Sequence, residues 1–217
     1  MKKTRWYWIA TVFFMLVAIA DVYAVITANK SVEMLCKPLL MTTLVTVYLT
    51  AVNKPNFWFV SGLFFSFWGD VFLLDKEQFF VFGLGSFLLA HFIYIKITVS
   101  FLEKELTSKM ISSSIPFVLL FAGLLLLIYD NLGEMLVPVI VYGLTIATFG
   151  SCAFLLYRQQ PSKEHTWLFL GAVIFIASDS LIALNNFYSP KHLFDIAIIV
   201  LYIIAQYYIT RAMIAKR

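Results

Sequence analysis

Residues 58–74 read WFVSGLFFSFWGDVFLL, an apolar run with a single carboxylate, Asp70, directly after Gly69. The pattern recurs at residues 167–184, WLFLGAVIFIASDSLIAL. In both stretches a glycine stands four residues after the tryptophan and an aspartate eight residues after that glycine, so Asp70 and Asp179 occupy equivalent places. An ionisable side chain inside an apolar segment is costly and is by default the mark of a functional site.

The rest of the chain is equally apolar. Of its 217 residues 62% are hydrophobic and 13% charged, and the mean hydropathy is +0.90. Too little polar surface exists to cover a water-soluble globule, so the composition reads as an all-α polytopic membrane protein. The net charge of +4 lies mostly in loops and tails, which leaves no basic face for nucleic acid. Cys36 and Cys152 have no pairing or metal-ligand spacing and read as packing residues.

A bilayer crossing takes about 20 apolar residues. That rule predicts eight transmembrane helices, at Trp6–Ala28, Lys37–Val52, Phe57–Leu74, Phe79–Leu102, Ile111–Tyr129, Met135–Tyr157, Thr166–Phe187 and Leu193–Ile214. No separator is long enough for a soluble domain, so residues 1–217 form one transmembrane domain. The basic start and the Ala18-Ile19-Ala20 triplet resemble a cleaved leader. The apolar run continues past Asp21 through Ile26, which favours one retained span.

Basic residues orient a membrane protein with their excess toward the cytoplasm. With a cytoplasmic N-terminus, eleven lie inside (Lys2, Lys3, Arg5, Lys54, Lys104, Lys109, Arg158, Lys163, Arg211, Lys216 and Arg217) and four outside (Lys30, Lys37, Lys76 and Lys191). Both termini are therefore expected in the cytoplasm, with Asp70 and Asp179 in the outer half of the membrane. Ala90-His91-Phe92-Ile93-Tyr94 follows the first aspartate much as Ala205-Gln206-Tyr207-Tyr208 follows the second. These matches suggest two four-helix halves, about 1–105 and 106–217, related by a pseudo-twofold axis along the membrane normal.

Two carboxylates at matched depth suit acid and base chemistry. Sharing a dry pocket, they would repel one another, and one would hold a proton while the other stayed ionised. Asp21, in the outer half of the first span, either joins them or faces the rim. Lys37, expected with Pro38 to open the second span, is placed to partner a phosphate or one of the acids, or to snorkel as an interfacial lysine. His91, the only histidine inside a span, reads as an interhelical hydrogen-bonder or a catalyst; a zinc site would need Asp70, Asp179 and water beside it, and no metal is expected. Asn185 and Asn186 could bind a head group or cap a helix, and Asp195 would sit in the first turn of the last helix, where the dipole favours an anion. Tyr202 and Gln206 share a face of that helix. Ser178 has no nucleophile elbow around it.

GLFFSFWGDVFLL, GLGSFLLAHFIYI, the Lys-Pro pair at 37–38, ASDSLIALNNF and YIIAQYYI together resemble the YhhN-type lysoplasmalogenase family, over about Lys37 to Tyr208. The resemblance implies an eight-helix protein that hydrolyses the vinyl ether bond of a lysoplasmalogen, with a lysophospholipid as substrate and no cofactor. It implies Lys37, Asp70, His91, Ser178, Asp179, Asn185 and Gln206 as the polar positions. Vinyl ether hydrolysis begins with protonation of an alkene carbon and passes through an oxocarbenium ion, so an acid and a nearby anion suffice, as in glycoside hydrolysis. The expected location is a bacterial plasma membrane. The competing class is a proton-coupled transporter, which also uses intramembrane acids. Interrupted helices at matching midspan positions would favour it, and the central spans are expected to lack interior proline.

Overall fold

The computed structural model describes residues 2–103 and 107–216. Lys104 and Arg217, both counted for orientation, lie outside the described residues, as do the side chains of Lys2 and Lys3. The described residues contain no strands and form eight α-helices: α1 Lys2–Ile26, α2 Lys30–Ala51, α3 Phe57–Phe72, α4 Lys76–Val99, α5 Thr107–Ile128, α6 Leu136–Gln159, α7 Lys163–Phe187 and α8 His192–Ala215. They cluster into two compact units, residues 1–93 with 213–217 and residues 94–212.

Seven stretches are long and apolar enough to cross a bilayer, one of them the 43-residue segment Phe57–Val99. That segment is a helical hairpin. The Gly69 carbonyl oxygen lies 3.5 Å from the position of a Cβ built on Gly83, whereas fourteen residues of continuous helix would separate them by about 21 Å. The chain reverses between Gly69 and Gly83, a stretch that holds a 3-10 turn at Leu73–Asp75 and, inside α4, Phe79, where the fourth helix was expected to begin and whose dihedrals of φ −119° and ψ 15° are non-helical. Large apolar side chains stand open on the surface, including Leu126 at 81%, Phe57 at 73% and Leu193 at 69% exposure. Apolar surface on that scale suits lipid rather than water.

In the first unit α1 buries Ala10, Phe14, Val17, Ala18, Asp21, Ala24 and Val25, a stripe at three- and four-residue spacing that presents one helix face. It packs along α2, whose own stripe is Cys36, Leu40, Met41, Leu44, Val47 and Tyr48. The expected opening of the second helix at Lys37-Pro38 is wrong. α2 begins seven residues earlier at Lys30, capped by Asn29, whose Oδ1 accepts from Val32 N at 3.2 Å, after a left-handed turn at Ala28 (φ 52°). Pro38 lies inside α2 and Pro116 inside α5, against the expectation of proline-free central spans. Membrane helices tolerate such prolines because neighbouring groups satisfy the freed backbone. Asn56 caps α3, and its own N–H donates to Tyr48 Oη at 2.9 Å, tying the loop back to α2.

In the second unit Arg158 of α6 donates to Ser112 Oγ at 2.8 Å and Ser113 Oγ at 3.0 Å of α5. The Phe154 and Phe169 rings stack 5.0 Å apart between α6 and α7. At Gly171 the α7 backbone comes so near α8 that a Cβ there would lie 3.1 Å from Ala205 O and from Ile209 N. Such close approach is how membrane helices gain packing in the absence of a hydrophobic drive between them. The Arg211 guanidinium, 4.7 Å over the Trp167 ring, joins the opposite ends of the same two helices.

Candidate functional site

Both aspartates lie on buried stripes. In α3 that stripe is Phe59, Gly62, Leu63, Ser66, Gly69 and Asp70, and Asp70 is 5% exposed. In α7 it runs through Leu168, Gly171, Ala172, Phe175 and Ile176, and Asp179 follows one turn later, half-buried. The three- and four-residue steps from Gly62 to Asp70 and from Gly171 to Asp179 keep glycine and carboxylate on one face.

The first unit holds Asp21, Lys37, Asp70 and His91. Asp21 is fully buried, and neither carboxyl oxygen has a hydrogen-bond partner among the described residues. It belongs to the packed face of α1 rather than to the rim. The charges of Lys37 and Glu33 act on it from α2. Lys37 is itself paired with Glu33 one turn earlier on that helix, so its ammonium already has an anionic neighbour. His91 is fully buried in α4, one turn beyond Phe87, whose ring packs at Gly69 beside Asp70.

The second unit holds Asp179, Ser178, Asn185, Tyr202 and Gln206. Tyr142 of α6, absent from the sequence reading, donates from its phenol to Asp179 Oδ2 at 2.5 Å. Its only sequence signal is a phenol in a span whose other polar side chains are short hydroxyls, VPVIVYGLTIATF at residues 137–149. Ser178, adjacent to the aspartate, points elsewhere: its Oγ donates to Ile198 O of α8 at 3.0 Å and ties the two helices. Asn185 closes the α7–α8 connection, its Nδ2 donating to Asp195 Oδ1 at 2.9 Å and its Oδ1 accepting from Lys191 N at 2.7 Å. Asp195 lies in the first turn of α8, where the dipole also favours it. Gln206 is fully buried and accepts from Tyr94 Oη at 3.1 Å. Tyr202 packs edge-on against Phe175, with ring centroids 5.6 Å apart. Among the described residues no group of three or more His, Cys, Asp or Glu side chains is placed to hold a metal ion.

Fold and polar residues together define a class: an all-helical integral membrane protein with carboxylates set into the packed faces of its spans. The particular family follows from comparison with known proteins. A family model described as the YhhN family matches residues 32–213, and the chain belongs to that family. It is similar to the lysoplasmalogenases of Mycobacterium bovis and Mycobacterium tuberculosis, at 32% identity over 141 residues in each case, covering 63% of this chain and 52% of the relative. The chain thus spans about half the length of the curated relatives it matches. No solved structure matches it significantly.

Proposed function

We propose that this chain is a membrane hydrolase that cleaves the vinyl ether bond of a lysoplasmalogen or closely related lysolipid. The observation that carries the reading is that the family-matched segment includes two carboxylates inside apolar spans, Asp70 and Asp179, at equivalent places in a repeated motif. The relatives that bear the name lysoplasmalogenase lend it chemical identity.

The reaction needs a proton, an anion and water. A carboxylic acid delivers its proton to the alkene carbon remote from oxygen, and the electron pair of the double bond forms the new C–H bond. The resulting oxocarbenium ion is stabilised by a carboxylate. Water adds to the cationic carbon, losing a proton to a carboxylate, and the hemiacetal collapses to a fatty aldehyde and a glycerophospho-alcohol. One water is consumed and no redox step occurs. Asp70 and Asp179 are the carboxylates assigned to this acid and base chemistry.

In this reading the chain crosses the membrane eight times, α3 and α4 each crossing once, with both termini cytoplasmic. In that orientation both aspartates lie toward the outer side of a bacterial plasma membrane, within two four-helix halves. The lysolipid's single chain lies among the apolar spans, and Tyr202, Gln206 and His91 are each assigned to substrate binding. Its phosphate lies toward the outer ends, where Lys37 is assigned to exchange its Glu33 partner for the phosphate, and Asp21 adds a carboxyl on α1.

The test is direct. Purified protein in detergent, given a lysoplasmalogen, should release fatty aldehyde in proportion to enzyme and time. Absence of aldehyde across head groups and chain lengths would overturn the hydrolase reading in favour of transport.

A further inference from the structure

We propose that Tyr142 is the positioning residue for Asp179, holding its Oδ2 so that Oδ1 is the oxygen that meets water or the cationic intermediate. The inference rests on the hydrolase reading above and adds to it a group from a different helix.

The geometry is specific. Tyr142 and Asp179 lie 37 residues apart in the chain, on α6 and α7, within one compact unit. The 2.5 Å separation between phenol and carboxylate oxygens is that of a strong O–H···O contact. Among the described residues Tyr142 is the hydrogen-bonding side chain on Asp179. Without it the carboxylate could turn about its terminal torsion, which has a broad, shallow profile. With it, Oδ2 is committed as an acceptor, and Oδ1 of the half-buried carboxylate is left for chemistry.

The packing explains why the phenol reaches. α6 and α7 approach closely at Gly150, where an added Cβ would lie 2.5 Å from Ile176 Cδ1. Consecutive helices joined by a short loop run antiparallel. Tyr142 therefore lies about 12 Å from that crossing along α6, and Asp179 about 4.5 Å from it along α7, toward the same end. The remaining offset is about the length of a tyrosine side chain, which a serine or threonine at 142 could not cover.

The partner's chemistry suits the role. A lysine or arginine there would fix the carboxylate but cancel its charge. A neutral phenol orients the group and leaves the negative charge that a developing oxocarbenium ion requires. Carboxylate placement to within a fraction of an ångström is what a preorganised site supplies.

The experiment uses full-length protein in detergent. Tyr142→Phe should lower kcat for aldehyde release at least about tenfold with KM within about twofold, and it should cost little further activity in an Asp179→Asn background. Wild-type kcat in Tyr142→Phe, or a full additional loss in the double variant, overturns the proposal. Infrared spectra of protein carrying 13C-labelled aspartate give a reading independent of turnover. A carboxylate band absent from Asp179→Asn should shift in Tyr142→Phe, and an unshifted band also overturns it. Should Tyr142→Phe fail to fold, 3-fluorotyrosine installed at 142 keeps the hydroxyl and the packing. It should shift that band and the pH profile of kcat, and no shift in either again overturns the proposal. If the wild type releases no aldehyde, the hydrolase reading fails, while the infrared arms still decide whether Tyr142 holds Asp179.

Discussion

Adding one methyl group at Gly171 should harm the protein, and the same addition at Gly123 should not. A Cβ on Gly171 would lie 2.7 Å from Ile209 Cγ1 and 3.1 Å from both Ala205 O and Ile209 N, whereas one on Gly123 would meet nothing within 4 Å. A flexible side chain could turn away from the first contact, but the other two are helix backbone, so α8 must retreat. Both glycines lie inside helices, so the helix-forming advantage of alanine, about 1 kcal/mol, is common to both substitutions and cancels in their comparison. What remains is the overpacking cost at Gly171, about 1–3 kcal/mol. Part of it falls on the Ser178 to Ile198 hydrogen bond, which joins the same two helices at 3.0 Å and would lengthen as they separate. For a chain of this size 1 kcal/mol corresponds to roughly 2–4 °C in Tm. Gly171→Ala should therefore melt about 2–12 °C below Gly123→Ala in the same detergent, read by thermal unfolding of purified protein. Equal melting temperatures, or a more stable Gly171→Ala, would refute the packing argument and with it the close approach of α7 to α8.

Asp70→Asn and Asp179→Asn should each reduce aldehyde release at least about a hundredfold while eluting as folded protein on size exclusion; full activity in either would remove that residue from the reaction. Asn185→Ala strips partners from Asp195 and from the Lys191 N–H, so it should destabilise by about 1–3 kcal/mol with KM little changed. A large rise in KM at unchanged stability would instead make Asn185 a head-group ligand. Asn56→Ala removes the cap of α3 and should cost about 0.5–2 kcal/mol, visible as a lower Tm; an unchanged Tm would show that the cap contributes nothing.

The hairpin and the caps show how far local sequence carries. Asn29 and Asn56 each precede a helix and accept from the N–H three residues on, a signal written in adjacent residues. Reading Lys37-Pro38 as an opening gave proline its most comfortable position, at the cost of overlooking the Asn29 cap. The reversal between α3 and α4 was legible as polar punctuation at Asp75 to Gln78, although the resulting segment is apolar enough to pass for one long stretch.

Sequence alone determined that this is a polytopic helical membrane protein, and it marked Asp70 and Asp179 as carboxylates inside apolar segments. Hydropathy and the energetic penalty of a charge in lipid are properties of each segment by itself. Which faces of the helices meet is a different matter. Phe13 is exposed and Phe14 buried, Leu16 exposed and Val17 buried, yet nothing in their chemistry separates them, because lipid and helix interior are equally apolar. Only the tertiary structure could therefore bring Tyr142 to Asp179, Ser178 to Ile198 O, and Tyr94 to Gln206 across 112 residues. Those pairings arise where helices pack closely enough for long or polar side chains to find one another, and apolar patterning does not encode that proximity.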